Sequence, residues 1–327
     1  MLRKTRPLEA FIVVGALLAA ALVPGGAATA APGDPEGGTY SQTFTPADGA
    51  TSFAIPENAI NVRLTVAGGQ GGKGSASMTA NGGAGGVVTA NLSDNYSGST
   101  LHLLVGGWGF FNPGGGSYVA LDDSFLVIAG GGGRSGYAGQ TTNSLDGGDG
   151  GFANGTPDGG DGAQLAGGSQ SGLGAVGGVP GTNGYLPNGQ PAANTGTVAT
   201  VVDGLITPGR GSAVNGFAGG GGYAGGGGSA NGVVPGVGIV RGASGGGSGY
   251  VRPGLTLEST SRNETPPGSS AGAAGYITIE WTEPAESPAD PDVPVDPPVT
   301  PETPVPPIGP SAPGRDTDEP VFPVVAG

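Results

Sequence analysis

The sequence predicts an all-β fold that is interrupted by a long glycine-rich insertion and followed by a disordered, proline-rich tail. Three observations predict it. From Tyr40 to about Ala129, apolar and polar side chains alternate with the period of two that half-buried strands show. The same alternation returns at residues 276–281, long after the first run has ended. Most of the 74 glycines among 327 residues lie between Gly68 and Gly249, and glycine overall is enriched about threefold over a usual share of roughly 7%.

The chain begins with features of a secretory signal. Arg3, Lys4 and Arg6 precede an apolar run from Phe11 to Val23 that is short for a membrane span, and Ala28-Thr29-Ala30 offers a small-residue cleavage site. Residues 1–30 are therefore expected to be a cleaved signal peptide rather than a retained anchor. The product is expected to be secreted, extracellular and free of membrane insertion. Loss of residues 1–30 leaves 8 basic groups against 24 acidic ones. That balance does not attract nucleic acid or anionic lipid. There is no cysteine, so stability outside the cell must come without disulfides and no thiolate can hold a metal.

After a short leader (31–39), one domain is expected over residues 40–282. Ile60, Val62, Leu64 and Val66 fall on one face of a strand whose other face carries Asn61, Arg63 and Thr65. Residues 51–55, 86–92, 100–105, 117–121 and 124–128 are further strand candidates, punctuated by glycine, Pro46, Pro56, Asn95 and Pro113. From about 130 to 250 β-propensity fades, with one strand or hairpin arm at 198–202. In the closing strand Ile277, Ile279 and Trp281 face opposite Tyr276, Thr278 and Glu280. A well-patterned strand after so long an interruption is expected to close the sheet begun near Tyr40, which makes the glycine tract an insertion held at both ends. Residues 283–327 change class again. From Pro284 onward 14 of 44 residues are proline, interleaved with Glu286, Asp290, Asp292, Asp296 and Glu302. This composition makes an extended, disordered acidic stalk.

A glycine tract has two fates, because glycine gives up the most backbone entropy on folding and buries no side chain in return. It stays disordered, or it packs main chain against main chain. In the second case glycine adopts polyproline-II geometry, with three residues per turn. Neighbouring backbones then approach until N–H meets C=O. The tract does not keep a strict period of three, which excludes collagen. Phe152, Leu165, Tyr185, Leu205, Ile206, Phe217, Tyr223, Val233 and Val237 are scattered through it, and such residues favour the ordered bundle over a linker.

The stretches Arg63-Leu-Thr-Val66-Ala-Gly-Gly-Gln-Gly-Gly-Lys73-Gly and Leu101-His-Leu-Leu-Val105-Gly-Gly-Trp108-Gly resemble parts of known glycine-rich domains. So do Gly114-Gly-Gly-Ser-Tyr118-Val119, Leu126-Val-Ile-Ala-Gly130-Gly-Gly-Gly-Arg134, Gly216-Phe-Ala-Gly-Gly-Gly-Gly-Tyr223 and Gly275-Tyr-Ile-Thr-Ile279. Domains of this kind occur in bacterial surface proteins and in the ectodomains of the anaplastic lymphoma kinase and leukocyte tyrosine kinase receptors. The resemblance covers roughly residues 40–281 and implies a β-sandwich carrying an inserted bundle of polyglycine-II helices, with a role in recognition or adhesion. The chain lacks the cysteines and the kinase portion of those receptors, so signalling does not carry over.

Glycine-rich text generates false motifs. Residues 67–75 look like a phosphate loop, yet Ala67 and Gly74 stand where glycine and Ser or Thr are required. His102, the single histidine, reads as a solvent-facing strand residue, since one histidine without cysteine makes no typical zinc set. Asp122-Asp123 reads as a hairpin turn. The echoed Asp146-Gly-Gly-Asp149 and Asp158-Gly-Gly-Asp161 are weak calcium candidates, because carboxylates in glycine loops supply hard oxygen ligands. Neither copy follows the calcium-binding nonapeptide repeat. Trp108, Phe110 and Phe111 form an aromatic loop, the best candidate for contact with a protein or a glycan. The expected function is a non-enzymatic, secreted or cell-surface binding or structural protein with no cofactor, acting in adhesion or at the envelope or matrix. The alternatives are an extracellular hydrolase and a largely disordered envelope filler.

Overall fold

The computed structural model describes residues 37–73, 80–92, 96–109, 112–138, 144–162, 173–176, 179–181, 196–212, 218–234, 238–266 and 271–285. The expected signal peptide, the start of the leader, the stalk beyond residue 285, Phe110 and Phe111 lie outside them, as do parts of the glycine tract.

The described chain is all-β. Its strands are β1 (Thr39–Phe44), β2 (Ala50–Ala54), β3 (Ile60–Ala67), β4 (Gly85–Asn91), β5 (Thr100–Leu104), β6 (Ser117–Leu121), β7 (Ser124–Ala129), β8 (Gly136–Ala138) and β9 (Ser144–Leu145). They continue as β10 (Thr200–Val202), β11 (Leu205–Thr207), β12 (Asn231–Val234), β13 (Gly238–Arg241), β14 (Tyr250–Val251), β15 (Thr256–Asn263) and β16 (Tyr276–Thr282). Two five-stranded sheets dominate, ordered β1-β16-β3-β4-β15 and β14-β7-β6-β5-β2. A four-stranded sheet, β12-β13-β8-β9, and the β10–β11 hairpin lie within the glycine-rich region. The strand or hairpin arm expected at 198–202 is β10, which pairs with β11, and β8, β9, β12 and β13 are further strands that the sequence did not mark. These strands are short and broken by glycine, which hides the period-two signal.

As expected, β16 closes the sheet: it pairs antiparallel with β1 on one side and β3 on the other. The two large sheets face each other across one core. Val62, Leu64, Val66, Val88, Ile277 and Ile279 of the first meet Leu101, Leu103, Val119 and Val127 of the second. Each such side chain contributes about 1.5–3 kcal/mol on burial. At one end the Trp281 ring stacks on Tyr40 and tilts against Phe53. Ile60 departs from its expected face and is 37% exposed. Asn61, at φ 53°, takes a left-handed conformation, and the register between β16 and β3 shifts beside it. This bulge turns Ile60 outward.

The second sheet is buried on both faces. Its outward residues Tyr118, Ala120, Phe125 and Ile128 pack against Ala199, Val201 and Ile206 of the β10–β11 hairpin region. His102 is consequently not a plain solvent-facing residue. It is half-buried, with its ring under Gly204 at the hairpin turn, where a Cβ would strike the imidazole.

The described glycine segments hydrogen-bond to one another with a clear rhythm. The N–H groups of Gly130, Gly131, Gly132 and Gly133 donate in turn to the carbonyls of Gly151, Gly221, Gly69 and Gly148, at 2.7–3.4 Å. Gly130 and Gly133 thus reach one neighbour, whose partner residue recedes by three as the donor advances by three. The carbonyls of the same stretch accept from Gly86 and Gly83, from Gly247 and Ser244, and from Gly114. Residues 244–249 repeat the rhythm: Ser244 and Gly247 donate to Arg134 and Gly131, Gly245 and Ser248 to Gly227 and Ala224, and Gly246 and Gly249 to Gly160 and Pro157. Buried serines stand in as acceptors. Ser244 Oγ accepts the Arg134 N–H at 2.7 Å, and Ser248 Oγ accepts that of Ala224 at 3.0 Å. These bonds give the main-chain groups of a nearly side-chain-free interior the partners that burial requires.

Candidate binding cleft

Trp108 follows β5 and is 36% exposed. Gly272 lies beside its ring, where a Cβ would stand 3.4 Å from Cε3. The neighbouring Gln70 is buried, and its side-chain oxygen accepts the N–H groups of Thr265 and Ala273 and the Thr265 hydroxyl, at 3.0–3.1 Å. Gln70 thereby pins the stretch before β16 against the glycine segments. The hollow lined by Trp108, Gln70, Lys73 and Thr265 measures 10 Å³, room for about one water.

The four aspartates are spread along the glycine segments. Asp146 Oδ1 accepts the Asn81 N–H and Asp149 Oδ1 that of Ala84, both at 3.0 Å. Donors and acceptors are each three residues apart, so this pair follows the rhythm of the main-chain bonds. Asp149 also receives both guanidinium N–H groups of Arg262, at 2.6 and 3.1 Å. Asp161 Oδ1 accepts the Gly174 N–H at 2.8 Å, and Asp158 sits half-buried at the end of the 151–158 turn. Among the described residues no three His, Cys, Asp or Glu side chains gather as a metal site would require. Asp122-Asp123 forms the turn between β6 and β7, as expected.

A cleft of 620 Å³ opens between the outer face of the second sheet and the glycine segments. Val105, Pro113, Tyr118, Pro208 and Ala218 line it together with bare glycine main chain, and Asn112 and Arg210 bring polar side chains. Its size and mostly apolar lining are those of a ligand site. The segments flanking Trp108 enter the wall, whereas Trp108 itself faces the small hollow. The fully buried Tyr118 anchors the wall: its hydroxyl donates to Gly222 O at 3.0 Å and more weakly to Gly209 O at 3.4 Å. Burial pushes the pKa of this phenol well above its ordinary value, opposed by those two bonds and by the Arg210 charge.

Sequence reading did not find this cleft. One signal was available: Arg210 is the only Lys or Arg between Arg134 and Arg241. A second hollow, of 390 Å³, lies beside His102 under Gly204, Leu205 and Ile206. Gly242-Ala-Ser244-Gly-Gly246 has nucleophile-elbow spacing. However, Ser244 is buried and bonded to the Arg134 main chain, with no strand-to-helix turn to expose its hydroxyl. No protein-family model and no curated protein matches the chain.

Proposed function

We propose that this chain is an exported, non-enzymatic recognition protein of a cell surface. In this reading a polyglycine-II-type bundle, inserted into a β-sandwich, holds a binding cleft rigid. The observation that carries the proposal is the cleft itself, an apolar concavity of ligand-binding size walled partly by hydrogen-bonded glycine main chain. The threefold rhythm of the bonds and the six neighbouring stretches around residues 130–134 support the bundle and speak against a disordered filler. The likeness to glycine-rich domains of surface proteins points to adhesion. The charged, apolar and small-residue order of the first thirty residues supports export. The partner is a protein or a glycan displayed at a surface, envelope or matrix. A net charge of −14 argues against nucleic acid.

Labelled mature protein tested on intact bacterial and host cells and on envelope extracts should bind saturably. Limited proteolysis should leave a resistant fragment near residues 40–282. Absence of saturable binding to every surface would sink recognition, and rapid digestion of the glycine region would sink the bundle. Alanine at Trp108 and Phe110 tests the aromatic loop separately from the cleft.

A further inference from the structure

We propose that the cleft takes an extended acidic segment of a partner protein, seating a bulky apolar side chain against Pro113 and Pro208 and pairing a carboxylate with Arg210. This rests on the reading of the cleft as the binding site and decides between the two partner classes left open above.

The wall offers little to a sugar. A glycan presents hydroxyls on every ring and needs many convergent polar side chains, whereas this lining is mainly Val105, Pro113, Tyr118, Pro208 and glycine main chain. An apolar side chain suits it, since such surface stabilises association in proportion to the area removed from water. A concavity of 620 Å³ admits an extended peptide rather than a bulky folded surface.

Charge supplies the second part. Arg210 is exposed, and the carboxylates of Glu258, Glu280, Asp149 and Glu264 pair with Arg63 and Arg262 instead. Its guanidinium is a planar fork of donors that matches a carboxylate bidentately. The positive field of Arg210 reaches the Tyr118 phenol in the wall. The protein as a whole is acidic, so its bulk field does not draw an acidic partner. Recognition must be local, at this one cation.

The test is selection of a random-peptide phage library on the mature chain, followed by affinity measurement of enriched peptides. Enriched peptides should combine Asp or Glu with Phe, Tyr, Trp or Leu. Arg210→Gln should weaken them about tenfold, the scale of one charge-assisted hydrogen bond. Ala218→Trp should abolish binding by filling the cleft, with thermal melting of both variants compared with that of the parent. Should Ala218→Trp melt low, Arg210→Glu replaces it and should abolish binding by like-charge repulsion. Enrichment without acidic residues, affinity unchanged by Arg210→Gln, no enrichment at all, or displacement of the peptides by oligogalacturonate at lower concentration would each overturn the inference. Saturable cell binding that survives all these variants would retire the peptide site and leave surface recognition standing.

Discussion

The Tyr118 hydroxyl donates to the Gly222 carbonyl at 3.0 Å, 104 residues away in sequence. A strand of the second sheet is thereby tied to the glycine segments inside a fully buried environment. Removing the hydroxyl as Tyr118→Phe takes this donor from the buried Gly222 carbonyl, whereas Gly209 O keeps the Gly222 N–H. The expected loss is about 1–3 kcal/mol in denaturant unfolding. A change below the error of the measurement would show that the ring alone carries the contact.

The same phenol predicts an alkaline effect. Its folded-state value is raised by burial, while in the unfolded chain it titrates near its ordinary value of about 10. Below that pH both states hold the proton and the stabilising contribution is complete. Above it the unfolded state releases the proton first, so stability falls by up to about 1.4 kcal/mol per pH unit from this group. Tyr118→Phe should remove that share of the slope, as read from unfolding free energies above pH 10.

Glycine in the packed segments is needed for space rather than for unusual dihedrals. Positive φ among the described glycines occurs at Gly49, Gly98, Gly155, Gly204 and Gly254, outside the main-chain ladders. At Gly132 a Cβ would strike the Gly83 carbonyl, whereas at exposed Gly107 it would meet nothing within 4 Å. Gly132→Ala should therefore destabilise by about 1–3 kcal/mol or more as an overpacked site. Gly107→Ala should stay within about 0.5 kcal/mol. Equal effects on melting would refute main-chain close packing as the reason for glycine.

Gly204 and His102 form a testable pair. Gly204→Ala introduces both a left-handed alanine at φ 72° and a clash with the imidazole. The backbone part is about 1–2 kcal/mol. His102→Ala should recover the clash but not the backbone part, and a double-mutant cycle separates them. Strict additivity of the two losses would mean that the ring and the turn do not touch.

Amide exchange should be slow at Gly131, Gly132 and Gly247, whose N–H groups are bonded inside the glycine segments, and comparable to exchange in β3. Exchange at random-coil rates there, with β3 protected, would leave two packed sheets and a loose insertion.

By itself the sequence determined the main strands and the closure by β16, because alternation reports a strand whose two faces see different solvents. Residues 62–66 and 276–281 declare themselves in this way. β15 did not, since nearly all of its residues are exposed on an edge and no face is marked by apolar side chains. The sequence also determined that a glycine tract must either pack on its main chain or remain loose. Only the tertiary structure decided which stretch lies beside which, because main-chain hydrogen bonds carry no side-chain code: nothing local links Gly131 to Gly221 or Gly247. The same reason hid the cleft. Its walls come from Val105, Tyr118, Pro208 and Ala218, apolar or small residues that acquire a shared purpose only once the hairpin and glycine segments are laid across the second sheet.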